Sequence, residues 1–246
     1  LSEYNSVEKA ILNSQWKSNS NNNYKLGNMI AMVDTSGSME QDNALYTAIG
    51  LGIRIAEKSK LGKRILTFSS NPEWIILKNE DTFVDMVKEV MKANWGMNTN
   101  FVSALDLILN TAINNDIDPK ELKNMTLVIL SDMQIDRGKL LGDNNMMFDM
   151  MKNKYNSYGY NLPHLVFWNL RSTNGFPTMT NEKNTSMMSG FNLNLLDKFN
   201  NKGIEALKNL DPYESLLEEL SNSRYDKLDN IVDNLWNFKN IINDLD

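Results

Sequence analysis

Apolar residues in this chain fall into two kinds of segment: short unbroken runs, and longer stretches in which they recur every three or four positions. Asn28-Met-Ile-Ala-Met-Val-Asp34 is a run of the first kind and predicts a buried strand that ends in a carboxylate. Over residues 41–59, Leu45, Ala48, Ile49, Gly52, Ile53 and Ala56 share one face of a helix. Arg64-Ile-Leu-Thr-Phe-Ser69 and Glu73-Trp-Ile-Ile-Leu77 are strand-like and separated by Ser-Asn-Pro, a break short enough for a hairpin. The third strand is therefore expected to be antiparallel and at or near an edge. Residues 81–93 and 101–114 predict helices, the second marked by Phe101, Ala104, Leu105, Ile108 and Ala112. Trp95-Gly-Met-Asn-Thr-Asn100 forms the loop between them. Met125-Thr-Leu-Val-Ile-Leu130 is almost purely apolar, as a parallel strand covered on both faces should be, and it too leads to a carboxylate, Asp132. A helix within 143–157, a strand over His164–Asn169, a short strand at Thr185–Ser189 and a helix at about 192–200 complete the alternation.

Strand and helix alternate throughout 24–201, which predicts an α/β fold: a doubly wound, mostly parallel sheet of about six strands with one antiparallel edge strand. Residues 1–23 read as a weakly helical segment (Val7, Ala10, Ile11, Trp16) followed by an Asn-rich linker at Asn19–Asn23. Residues 202–246 carry Leu216, Leu217 and Leu220 on one helix and Leu228, Ile231, Val232, Leu235 and Phe238 on another. These C-terminal helices are expected to pack on the same domain. No repeat of solenoid period is present.

Composition narrows the chemistry. With 246 residues, 41% hydrophobic and 23% charged, the chain has the profile of a folded domain rather than a disordered one. It has no Cys and one His, His164, which excludes thiolate metal sites, a cysteine nucleophile and any multi-His metal centre. A metal would have to be held by oxygen. The net charge of −6 and pI near 5.0 argue against a broad nucleic-acid surface. No apolar run approaches 18 residues and no basic-then-apolar leader is visible, so an intracellular, non-membrane setting is expected. Because the chain begins at Leu1, it reads as a portion of something longer. The Asn-x-Ser/Thr sequons at Asn124 and Asn184 carry little weight in so Asn-rich a sequence.

Ligands of a parallel sheet gather at the carboxyl ends of its strands, where the strand order reverses. Oxygen donors cluster at such ends here. Asp34-Thr-Ser-Gly-Ser38 places Asp34, Ser36 and Ser38 two residues apart in one loop, a partial shell for a hard divalent cation. Thr99, before the helix at 101–114, and Asp132, after the strand at 125–130, offer further oxygens from separate loops. Alone, the Asp-x-Ser-x-Ser spacing is weak, since Asp and Ser are common in turns and helix caps. Donors in three loops, in this order, favour a metal site, and beside Thr99 the side chains of Asn98 and Asn100 are also oxygen donors.

Asp34-Thr-Ser-Gly-Ser-Met39, with Thr99 and Asp132 in these contexts, resembles the metal-ion-dependent adhesion site (MIDAS) of von Willebrand factor A (vWA) domains. The resemblance covers about residues 24–201 and adds a Rossmann-like vWA fold to the expectation. Trp95-Gly-x-x-Thr-Asn, Ser131-Asp-Met, Ser189-Gly-Phe, Asp211-Pro-Tyr and Arg224-Tyr-Asp are similar to phrases of the DUF2828 family, which has a vWA-like C-terminal region. More distantly, the metal site is similar to that of the C-terminal domain of the Ro autoantigen. The resemblance implies a Mg2+ site, with Mn2+ or Ca2+ as substitutes, in which Ser36 and Ser38 bind directly and Asp34, Thr99 and Asp132 bind directly or through water. It also implies a protein partner that supplies an exposed Asp or Glu, with Trp95, Met39 and Asn100 on the rim of the contact.

The function expected is thus a non-enzymatic, cation-dependent protein-binding module. A magnesium-dependent phosphohydrolase of haloacid-dehalogenase type is the first alternative, but it needs a second Asp where this chain has Ser36. An accessory domain of an RNA-associated protein is the other, disfavoured by the acidic balance. Ser69 and Ser131 are expected to cap or to support the donors by hydrogen bonds, Asp136 to cap a helix, and His164 to pack, since no Gly-x-Ser-x-Gly motif accompanies it. Most of the 15 Met read as core. Leu61-Gly-Lys-Arg64 lacks the spaced glycines and Lys-Ser/Thr pair of a phosphate loop.

Overall fold

The computed structural model describes residues 5–18, 26–68, 71–93, 100–133, 144–171 and 184–190, with the single positions Leu217, Ser221 and Ile231. Six strands form one sheet: β1 (Met29–Asp34), β2 (Arg64–Phe68), β3 (Glu73–Ile76), β4 (Thr126–Ser131), β5 (His164–Asn169) and β6 (Thr185–Ser189), in the order β3-β2-β1-β4-β5-β6. All neighbours are parallel except β2 and β3, which pair antiparallel with Arg64 opposite Ile76 and Thr67 opposite Glu73. This is the doubly wound α/β architecture the alternation predicted, with the antiparallel strand at the edge. The order reverses between β1 and β4, and the crevice at their carboxyl ends is where such a sheet leaves room for a ligand.

Strands β1, β4 and β5 are buried at all six positions, which is why they appear in the sequence as runs rather than alternations. Their side chains divide between two layers. Ile30, Met32, Leu127, Ile129, Leu165 and Phe167 join the core under α4 (Phe101–Asn114) and α6 (Asn144–Ser157). On the opposite face Ala31, Val33 and Ile65 meet α2 (Ala44–Lys58) at Gly52. A Cβ at Gly52 would stand 2.8 Å from Val33 Cγ2, on a side chain whose χ1 is stiff in a strand, whereas one at Gly50 would meet nothing within 4 Å. The two helix glycines therefore predict opposite signs. Gly52→Ala is expected to destabilise by about 1–2 kcal/mol through overpacking, while Gly50→Ala is expected to stabilise by about 0.5–1 kcal/mol through helix propensity. Urea unfolding of the two variants checks this, and a stabilised Gly52→Ala would contradict the close packing.

Several boundaries differ from the periodicity. The helix expected from residue 41 starts at Ala44. A 3-10 segment, Gly37–Asn43, precedes it, and Asp42 and Asn43 take positive φ of 57° and 59° that interrupt helical geometry. Helix α3 spans Phe83–Met91, shorter than 81–93, because Thr82 and Asp85 close a capping box at its start. A five-residue helix, α5 (Pro119–Lys123), went unpredicted. Asp118 caps it and Pro119 opens it, but it is too short to show a period. Helix α1 (Ser6–Ser18) buries no residue and is held through Trp16, which stacks on Phe83 at 4.0 Å, lies under Arg54 at 3.8 Å and donates to Glu57. The chain separates into two compact units, Leu1–Gly203 and Ile204–Asp246. The helix expected at about 192–200, and the C-terminal helices apart from Leu217 and Ile231, lie outside the described residues.

Candidate functional site

Strand β1 delivers Asp34 and strand β4 delivers Ser131 and Asp132 to the same end of two adjacent strands, since Val33 and Leu130 are register partners. Asp34, Ser131 and Asp132 have no exposed surface, and Ser36 is 4% exposed. Each oxygen of the Asp34 carboxylate accepts one hydrogen bond: Oδ1 from the Ser36 backbone N–H at 2.9 Å, and Oδ2 from the Ser131 hydroxyl at 2.6 Å. The first bond closes the loop over Ser36. The second ties β1 to β4, and the Ser131 oxygen in turn accepts the Met133 N–H at 3.0 Å, so Ser131 has the supporting part expected of it. Burial pushes the Asp34 pKa up to about 6, above its ordinary 3.8, and the nearby Asp132 charge adds to the rise. The Ser131 and Ser36 hydrogen bonds oppose it without cancelling it.

The hydroxyls of Ser36 and Ser38 lie 3.1 Å apart. Oxygens bound to one Mg2+ at about 2.1 Å would be about 3.0 Å apart along an octahedral edge, so the pair is spaced for two adjacent vertices as well as for a hydrogen bond. Two carboxylates with two hydroxyls form a donor set suited to a hard cation. Among the described residues no cluster of three or more His, Asp or Glu accompanies it. The four donors in place could contribute oxygens to such an ion and leave its other positions to water.

A cation of the chain's own also lies here, and sequence reasoning missed it. Arg171 follows β5 by two residues. The ladder to β4 continues through Leu170 N–H to Ser131 O, and the Asn169 side chain accepts the Arg171 N–H. Its guanidinium reaches Asp132 Oδ2 at 2.9 Å, Ser38 O at 3.3 Å, Gln41 Oε1 at 2.7 Å and Asp42 Oδ2 at 3.3 Å. The side chain is 12% exposed and its Asp132 partner 0%. Burial works against the Arg171 charge, but the hydrogen bonds and charges of Asp132 and Asp42 outweigh it and raise the pKa further. Met133, directly after Asp132, has a φ of 64°, a costly conformation for a long side chain.

Of the expected donors, Asp34, Ser36, Ser38 and Asp132 are brought together. Thr99 and the rim residue Trp95 lie outside the described residues, as do Ser69 and Asp136. Asn100 caps α4 by accepting the Ser103 N–H at 3.1 Å and is half-buried. Met39 is a correction: it is fully buried, because the 3-10 turn after Ser36 points it into the core, so it cannot form a contact rim. His164 is 4% exposed with ring nitrogens against Asn184 Oδ1 and Ser186 Oγ, a packed structural residue. The Asn184 amide of the second sequon donates to the Leu162 and Pro163 carbonyls.

A family model described as a domain of unknown function, DUF7788, matches residues 28–233, most of the chain. The chain belongs to the DUF7788 family. All four donors and Arg171 fall inside the DUF7788 match, and α1 falls before it. The DUF2828 likeness, read from short phrases, stays a resemblance. An uncharacterised protein of Acanthamoeba polyphaga mimivirus is 34% identical over 217 residues, 85% of this chain. The chain spans 36% of that viral protein's length. Among solved structures, the Ro protein of Deinococcus radiodurans is similar at 15% identity and a TM-score of 0.47, over 74% of this chain and 35% of that one. Mussel byssal proximal thread matrix protein 1, in a form with a zinc-occupied MIDAS motif, is similar at 12% identity and 0.46, over 75% and 48%. The fold assignment rests on the strand order and connections, not on these distant likenesses. Among the described residues no helix is long and apolar enough to cross a membrane.

Proposed function

We propose that this DUF7788 domain is a non-enzymatic protein-binding module that depends on a divalent cation, Mg2+ by preference with Mn2+ or Ca2+ as substitutes. The ion would be held by Ser36 and Ser38, with Asp34, Asp132 and Thr99 as further direct or water-mediated ligands. When bound, it would supply a positive vertex for an Asp or Glu side chain of a protein partner. The observation that carries this reading is the convergence of Asp34, Ser36, Ser38 and Asp132 at the carboxyl ends of β1 and β4, with the two hydroxyls 3.1 Å apart. Two carboxylates only partly satisfy a dication. An ion held this way keeps appetite for an anionic ligand.

The chain's own residues account for the rest of the arrangement. The Ser36 N–H and the Ser131 hydroxyl orient the Asp34 carboxylate, and burial keeps bulk water from competing for it. Calorimetric titration with Mg2+ and Mn2+ tests the reading. Ser36→Ala and Asp132→Asn are each expected to weaken binding about tenfold or more, the scale on which ligand and supporting residues of metal sites act. Equal binding in wild type and both variants would end it.

A further inference from the structure

The guanidinium of Arg171 holds the same carboxylate that the proposed metal site needs. Its contacts divide into two groups. Nη1 serves Asp132 and the carbonyl of Ser38, a proposed donor, while Nη2 and Nε are anchored on Gln41 and Asp42, further along the same 3-10 segment as Ser38. Four polar partners from two loops fix a side chain that would otherwise be free to swing, and the planar fork suits such a fixed array. Asp132 has no exposed surface, so water cannot take over its charge.

We propose that Arg171 is a tethered counter-cation that competes with the divalent ion for Asp132, so that metal capture proceeds by displacing the guanidinium. This rests on the metal reading of the site and specifies how that site is regulated. Asp132 Oδ2 hydrogen-bonded to a guanidinium has less charge to offer an ion. With Arg171 in place the two buried carboxylates carry a net charge of one rather than two. The apparent metal affinity is then lowered by the fraction of molecules in which Arg171 has released Asp132. If that fraction is about one in ten, the affinity falls about tenfold. Displacement also detaches Gln41 and Asp42, so ion binding is coupled to the position of the segment between the metal loop and α2. The device makes the domain a sensor of divalent-ion concentration rather than a permanently loaded binder.

Three proteins test this: wild type, Arg171→Gln and Gln41→Ala. The last keeps every charge and removes only the 2.7 Å anchor. Mn2+ binding is measured by the free-ion electron paramagnetic resonance signal, and stability by urea unfolding in chelator. Arg171→Gln is expected to bind Mn2+ about tenfold more tightly, with Gln41→Ala about two- to fivefold tighter. In chelator, Arg171→Gln is expected to unfold at lower urea than wild type, which separates a lost internal cation from a general gain in rigidity. Unchanged or weaker Mn2+ binding in folded Arg171→Gln, with binding intact in wild type, overturns the competitor role alone. Absence of Mn2+ binding in wild type and both variants at millimolar ion overturns the metal reading itself. If Arg171→Gln does not fold, Gln41→Ala decides, and no gain in its affinity overturns the proposal.

Discussion

Replacing Phe101 with alanine is expected to destabilise the domain by about 3–5 kcal/mol, the range for emptying a buried aromatic site. Phe101 has no exposed surface and is the first residue of α4. Its ring meets Phe167 of β5 at 5.7 Å and Phe148 of α6 at 6.2 Å, and those two meet each other edge to face at 6.3 Å. The trio joins one strand to both helices of this layer, so no single element can move in to fill the gap. Removing Phe101 breaks two aromatic contacts, each worth about 0.5–1.5 kcal/mol beyond its area. Phe101→Leu keeps most of the volume and is expected to cost about 1–2 kcal/mol. Urea unfolding of both variants measures the difference. A cost below about 1.5 kcal/mol for Phe101→Ala would mean that the layer collapses around the gap, contrary to the packing density of such cores. The loss also bears on the start of α4, where Asn100 caps the helix from the adjacent position.

The parts of this molecule that could be read from sequence are those whose cause is local. The runs at β1, β4 and β5 are apolar because both faces are covered, and the α2 and α4 stripes are apolar because one face is. Asp34 and Asp132 stood out because each closes such a run, and Ser131 because it sits at a strand end. The misses share a different cause. Arg171 lies 133 positions from Ser38 and 39 from Asp132, and a lone Arg after a strand has no period or motif to mark it. The signal available was its place just past the carboxyl end of the strand beside β4, on the edge where ligands gather. Met39 is placed on the rim by the resemblance alone, and its burial follows from the 3-10 turn that carries it, which has no period in the sequence. Helix α5 is shorter than two turns and left only its Asp-Pro start as a trace.

In chelator, the stability of the domain is expected to fall as pH rises from about 4 to above 6, the reverse of ordinary acid denaturation in that window. Asp34 is the cause. Its carboxyl takes up a proton near pH 6 in the folded chain and near 3.8 when exposed, so between these values the folded state binds more protons than the unfolded. The stabilisation from that proton is fully present below about pH 4 and is lost as pH passes through about 6. At about 1.4 kcal/mol per pH unit the gap amounts to about 3 kcal/mol. Asp34→Asn removes the titration while keeping an oxygen to accept the Ser36 N–H, so its stability is expected to lack this fall. Subtracting the variant's pH profile from the wild-type profile, both by urea unfolding, isolates Asp34 from every other titrating group. Parallel profiles would show that the carboxylate is better solvated than its burial implies. If the metal reading holds, saturating Mg2+ draws the proton off Asp34 and abolishes the fall. The apparent Mg2+ affinity then weakens by about tenfold for each pH unit below 6. A pH-independent affinity across that range would place Asp34 outside the ion's reach and leave it with only its structural role of joining β1 to β4 through Ser131.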